Sequence, residues 1–250
     1  MASDFVPHMF ELDLRDSHSV ILPFGDGRKL SFGGIVDRAD VCGIGDEKYL
    51  RIIDYKSSRK EITAETLACG INMQMLLYLF ASTDKGGIYE GYEPAGVLYS
   101  PVRISNIEQE NNKVETKNTA AVSTALRTSG LVLGDMDILE AMQKNVRGEF
   151  IPVKLDKTGV PDKRSSCISA EGMTLLRNYT YGKLKNMAES LLEGDAEAVP
   201  LLLKKNLPCT YCEYINICDN SELLRQRTPD DEAVAEAQEI LGKKYNGEEK

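Results

Sequence analysis

No apolar run in the 250-residue sequence approaches the length of a membrane span. The opening stretch, Met1 to Glu11, has no basic segment followed by an apolar one, so no secretory signal is read. A cytoplasmic, reducing compartment is the resulting expectation. A G-x-x-x-x-G-K-[ST] phosphate loop is also missing, which excludes an ATPase motor within these residues. There is no internal repeat, and histidine occurs only at His8 and His18. Basic charge is scarce: 30 Lys and Arg stand against 39 Asp and Glu, a net charge of −9. That balance argues mildly against a free-standing nucleic-acid binder, which usually carries a basic footprint. The segment Pro229–Lys250, with seven acids and three lysines, carries −4 of it. Six cysteines in a reducing compartment do not make a disulfide framework.

The sequence is otherwise that of a globular protein, 42% hydrophobic and 28% charged, with enough apolar residues for a sizeable core. Phe5–Leu14 reads as extended, and Ser19–Leu22 as a strand before the turn Gly25-Asp26-Gly27. Lys29–Asp40 reads as one strand, in which Gly33-Gly34 predicts a bulge or a close backbone approach. After a turn at Gly43–Lys48, Tyr49–Tyr55 is a short apolar strand. Thr63–Ser82 is expected as one helix, with Leu67, Ile71, Gln74, Met75, Tyr78 and Leu79 along a face. Gly96–Ile104 and Phe150–Lys154 are expected strands, and Asn106–Ser129 a polar surface excursion. Helices are expected at Asp137–Asn145, Ser169–Leu192 (Ser169 as cap) and Ala233–Leu241. Residues 1–228 are taken as one domain, 207–219 within it as a cysteine knuckle, and 229–250 as an acidic C-terminal tail.

The chemistry-bearing set is Asp37 with Asp54-Tyr55-Lys56. Two strands joined by a turn would bring both aspartates to one end of a sheet. Neighbouring carboxylates repel unless a cation lies between them, and hard divalent ions such as Mg²⁺ or Mn²⁺ take oxygen ligands. The Tyr55 backbone carbonyl is a third candidate oxygen. Lys56 shares the Asp54 face of the strand and can stabilise charge on a phosphate. An isolated Asp-x-Lys is more often a surface ion pair. What lifts this one is its company: Gly34-Ile35-Val36-Asp37-Arg38-Ala39-Asp40 before it, and Gln74 with Tyr78 one helical turn apart after it.

Together these motifs resemble the RecB-type branch of the PD-(D/E)xK nucleases, in particular the C-terminal nuclease domain of AddB-type helicase–nuclease subunits. The resemblance spans about Phe5 to Asp219. It implies an α/β fold with a central mixed sheet flanked by helices, and metal-dependent hydrolysis of DNA. It places Asp37 and Asp54 at the metal, where the Tyr55 carbonyl is already read as a third oxygen, and makes Asp37, Asp54, Lys56, Gln74 and Tyr78 the catalytic set. Arg38 has a supporting role, and the role of Asp40 stays open. The implied setting is double-strand-break processing for homologous recombination, with DNA and an AddA-type subunit as partners and no membrane.

Cys209, Cys212 and Cys218 form C-x₂-C-x₅-C, one thiolate short of a closed four-cysteine site. A redox-inert or zinc-binding knuckle is the plain reading. The resemblance implies instead a [4Fe–4S] cluster completed by a cysteine upstream of the core. No cysteine precedes Cys42, and neither His8 nor His18 matches the histidine of the family's first core helix. The expectation is a chain that begins after those elements, with the cluster belonging to the intact protein. A catalytically silent nuclease-like scaffold or DNA-end clamp, and a stand-alone iron–sulfur exonuclease, are the alternative readings.

Overall fold

The computed structural model describes residues 3–15, 20–23 (backbone only), 27–102, 126–146, 148, 150–195, 197–218 and 226–244. A six-stranded sheet is built from β1 (Val6–Asp13), β4 (Ile35–Ile44), β5 (Glu47–Lys56), β6 (Glu93–Pro101), β7 (Ser129–Leu133) and β8 (Cys167–Ile168), in the spatial order β1-β4-β5-β6-β7-β8. Pairing is antiparallel for β1–β4, β4–β5 and β6–β7, and parallel for β5–β6 and β7–β8. The sheet is therefore mixed, and with its flanking helices it has the α/β architecture expected from the sequence. A separate antiparallel pair joins β2 (Val20–Pro23) to β3 (Lys29–Phe32).

Lys29–Asp40 is thus two strands in two sheets, broken at Gly33-Gly34. The break has a steric cause. A Cβ on Gly33 would lie 2.3 Å from the Leu14 carbonyl oxygen, and one on Gly34 would lie 1.8 Å from the Tyr78 hydroxyl. The glycines admit backbone and side chain where any other residue would collide.

The expected helix over Thr63–Ser82 is also two elements, α1 (Ala64–Ala68) and α2 (Gln74–Thr83). Thr63 and Thr66 close a capping box at the start of α1. Gly70 and Asn72 then adopt left-handed φ values of 72° and 61°, which end the first helix and re-aim the chain. Met187 fills the space at Gly70, its Cε 2.2 Å from where a Cβ would stand. The link between the parallel strands β5 and β6 passes through α1 and α2. Such a crossover returns α2 antiparallel to β5, so its first turn sits at the carboxyl end of β5.

Asp135 caps α3 (Met136–Met142), and Ser169 caps α4 (Ala170–Leu192) as expected, accepting the Gly172 N–H at 3.1 Å. Phe150–Lys154 is not a strand; only an isolated bridge, Leu155 with Pro161, forms nearby. Its backbone is satisfied otherwise: the Gln143 side chain accepts the N–H groups of Phe150 and Ile151, and Pro152 has none to give. The strands β7 and β8 were not expected. Most of the anticipated excursion at 106–129, and the terminal 245–250, lie outside the described residues. A 3₁₀ turn, Pro208–Tyr211, begins the cysteine segment. The last helix, α5 (Asp231–Gly242), packs on α1 and α4. Leu50, Ile52, Val97, Leu76, Leu79 and Phe80 are fully buried between the central strands and α2. Each contributes roughly 2 kcal/mol through burial.

Candidate metal and phosphodiester site

The β4–β5 pairing runs in register from Ile44 opposite Glu47 to Arg38 opposite Ile53. One further step sets Asp37 opposite Asp54, on the face shared by Ala39 and Ile52. There the ladder stops. The Tyr55 N–H donates to Asp37 Oδ2 at 2.8 Å rather than to the backbone of β4. A residue's N–H and carbonyl point to the same edge of a strand, so the Tyr55 carbonyl faces the same gap. Two carboxylates and one backbone carbonyl therefore converge where two paired strands part.

Directly opposed residues of an antiparallel pair have Cβ atoms roughly 5 Å apart. Two ionised carboxylates at that spacing repel by on the order of 3 kcal/mol at an effective dielectric near 20. Lys56 offsets part of this, with Nζ 2.6 Å from Asp54 Oδ2. That contact is one of charge and not of hydrogen-bond geometry, because the same buried oxygen has no hydrogen-bond partner. A buried carboxylate oxygen held only by an ammonium, beside a second carboxylate, is a donor set suited to a hard divalent cation. Asp37, Asp54 and the Tyr55 carbonyl fit such an ion.

The flank of the site comes from β6 and α2. Tyr99 is the parallel partner of Asp54. Burial, and then the Asp54 charge, push its phenol up to about 12, so near neutral pH it remains a protonated donor. The sequence places Tyr99 only in a buried strand; register, which the sequence does not display, puts it beside the carboxylate. Gln74 opens α2 and donates through Nε2 to the Tyr78 hydroxyl at 2.9 Å. That hydroxyl lies against Gly34, three residues before Asp37. The loop after Lys56 carries Lys60 and Arg59, whose Nε donates to Glu61 Oε1 at 2.9 Å.

Asp40 is elsewhere. Three positions from Asp37, it faces the other side of the sheet, where Arg38 and Arg51 hold it. The single Arg inside the apolar run Tyr49–Tyr55 was the sequence signal for this buried pairing. His8 is also spoken for, with Nδ1 2.9 Å from the Tyr89 hydroxyl; His18 lies outside the described residues.

Cys209 is half-buried, and Cys212 and Cys218 are exposed. Among the described residues no three of His, Cys, Asp and Glu are grouped as one metal ion requires. As placed, the triplet does not fit a cluster. Cys42 and Cys167 are buried free thiols.

A family model described as the PD-(D/E)XK nuclease superfamily matches residues 2–219. Similar curated proteins include the B-type subunit of the ATP-dependent helicase/deoxyribonuclease of Clostridioides difficile (strain 630), 34% identical over 200 residues, covering 77% of this chain and 17% of that protein. The protein of the same name from Thermoanaerobacter sp. (strain X514) is 30% identical over 224 residues, covering 86% and 19%. The one from Acetivibrio thermocellus is 29% identical over 233 residues, covering 90% and 20%. The chain thus spans about a fifth of the length of these relatives. With most of its length matched, the chain belongs to the PD-(D/E)XK nuclease superfamily.

Proposed function

We propose that this chain hydrolyses DNA phosphodiesters with a divalent cation, Mg²⁺ or Mn²⁺, held by Asp37, Asp54 and the Tyr55 carbonyl. The observation that carries the reading is the buried Asp54 Oδ2 opposite Asp37, with the Lys56 ammonium 2.6 Å away. A cation at this place supplies Lewis-acid polarisation of the phosphodiester and activation of a water. The chain's own groups do the rest. Lys56 orients the attacking water and stabilises the charge that develops on the phosphate. Gln74 and Tyr78 line the approach from α2 and contact the DNA backbone. Tyr99 keeps a neutral hydroxyl beside Asp54.

The relatives' shared name, that of an ATP-dependent helicase/deoxyribonuclease, supports a wider setting. In it, residues 1–228 are the nuclease domain, and 229–250 a tail whose helix α5 packs back on α1. The domain acts on DNA in the cytoplasm beside an AddA-type subunit, during double-strand-break processing for recombination. No helix among the described residues is long and apolar enough to cross a membrane. The cysteine triplet enters as part of a [4Fe–4S] ligand set only with a fourth thiolate, and no catalytic step passes through it.

The test is single-turnover cleavage of labelled DNA by the wild type, Asp54→Ala and Lys56→Ala. Losses of about 10²-fold or more are expected in both, the order found when a charge-stabilising group is removed. Wild-type rates in both variants contradict the proposal.

A further inference from the structure

Residues 57–61, which follow Lys56, form neither helix nor strand, yet they are tied down along their length. Where the loop begins, the Lys56 carbonyl accepts the Val102 N–H at 3.1 Å and carries the β5–β6 pairing past the strand ends. Further on, the Ser129 hydroxyl donates to the Lys60 carbonyl at 2.6 Å. Where the loop ends, Asn72 Nδ2 donates to the Glu61 carbonyl at 3.0 Å. Both donors come from elsewhere in the chain: Ser129 opens β7, and Asn72 lies between α1 and α2.

Register shows which way the loop goes. Asp54 is the parallel partner of Tyr99, and Tyr99 is the antiparallel partner of Ser129. Paired residues point to the same side of a sheet, so the Ser129 hydroxyl lies on the side of Asp54, two strand spacings or roughly 10 Å across. The loop therefore leaves Lys56 and folds over the end of β6 on the metal-site side. Along it, Ser57 and Ser58 are exposed and Lys60 is half-buried.

The elements on either side do not depend on these two bonds. Lys56 is fixed by β6, and α2 by the burial of Leu76, Leu79 and Phe80. What Ser129 and Asn72 fix is the loop itself. An exposed polar loop has little burial to order it, and its residues would otherwise keep their conformational freedom. Ordering it in advance removes that cost from binding. Serine hydroxyls, lysine ammonium groups and backbone N–H groups are common donors to phosphate oxygens.

We infer that residues 57–60 contact the DNA backbone beside the scissile phosphate, and that Ser129 and Asn72 are positioning residues that hold them ready. The inference rests on the phosphodiesterase reading above. It separates binding from chemistry. The two tethers act on a loop that grips the strand, while Asp37, Asp54 and Lys56 are held by other contacts. Loss of a tether weakens the grip and spares the chemical step.

The experiment is steady-state cleavage of labelled DNA with Mg²⁺ by the full chain as wild type, Ser129→Ala, Asn72→Gly and Asp54→Ala. Glycine accepts the left-handed backbone of Asn72, with its φ of 61°, and removes only the side-chain donor. Each loop variant should raise KM about fivefold, the worth of one hydrogen bond. Its kcat should stay within about twofold of wild type, as when binding common to ground and transition states is lost. A defect of folding would instead lower kcat at unchanged KM. Wild-type KM in both loop variants, whether or not kcat falls, with cleavage lost in Asp54→Ala, overturns the role of the loop and leaves the metal site standing. No cleavage by the wild type, or undiminished cleavage by Asp54→Ala, contradicts the metal site and this inference together.

Discussion

Asp37 and Asp40 stand three positions apart on one strand, and the odd spacing sends them to opposite faces. Among the described residues, Asp37 has one hydrogen-bond partner, a backbone N–H. Asp40 is saturated by four guanidinium contacts in the core. Their substitutions should therefore separate. Asp40→Ala leaves two guanidinium groups without their carboxylate and should cost roughly 3–5 kcal/mol, a fall of about 10 °C or more in melting temperature. Asp37→Ala should abolish metal-dependent cleavage and cost less than about 1 kcal/mol. Urea melts of the two variants check this; equal stabilities would show that burial does not divide their roles. At this scale the sequence was informative. Alternation along a strand predicts that Asp54 and Lys56 share a face, and the ion contact between them agrees. Whether Asp40 faced the metal or the core depended on its cross-strand partner Arg51, and pairing register is not written in either strand alone.

Among the elements, β5 was legible as a short apolar run closing on Asp54-Tyr55-Lys56, whereas β4 was read as the end of one strand from Lys29 and in fact starts at Ile35 and runs on to Ile44. The helix that closes the site was harder. Leu67, Ile71 and Gln74 recur at helical spacing, yet the chain turns between them, because Gly70 and Asn72 are left-handed and Met187 occupies the space at Gly70. A tertiary contact overrode a local pattern there. The pair Gly33-Gly34 did signal a close approach, but not what approached. The answer, Tyr78 from α2, supplies a test. Gly34→Ala places a methyl 1.8 Å from the Tyr78 hydroxyl and should displace α2, with at least about a tenfold loss of cleavage. Tyr78→Phe in the same chain removes the colliding oxygen and should restore part of the melting temperature lost. A double variant no more stable than Gly34→Ala would show that this contact does not set the docking of α2. The strands β7 and β8 escaped sequence reading for a different reason. At five and two residues they are too short for periodicity to register, and β8 is defined only by its parallel pairing to β7.

Across the whole molecule, buried phenols leave their mark at high pH. Burial first, and then neighbouring negative or phenolic groups, push Tyr89, Tyr99 and Tyr179 up to about 12. Tyr49 and Tyr181 move in the same direction. The native state thus holds these protons more tightly than the unfolded chain, whose tyrosines ionise near about pH 10. The associated stability is complete below about pH 10 and is lost as pH rises towards about 12. Urea midpoints should be level from about pH 7 to about 9.5 and fall steeply above about 10; a level profile through about pH 11.5 would contradict these burials. The net charge of −9 bears on function as well. A chain this acidic carries little of the basic footprint usual for a free-standing nucleic-acid binder.

In the proposed function, Asp37, Asp54 and Lys56 form a working metal-dependent phosphodiesterase site. Its most direct test is cleavage of end-labelled single- and double-stranded DNA by the chain with Mg²⁺, with Mn²⁺ and with EDTA, beside Lys56→Ala. Cleavage with either ion, none with EDTA, and a loss of at least about 10²-fold in Lys56→Ala are expected. Cleavage that survives EDTA, or that Lys56→Ala retains in full, would contradict it.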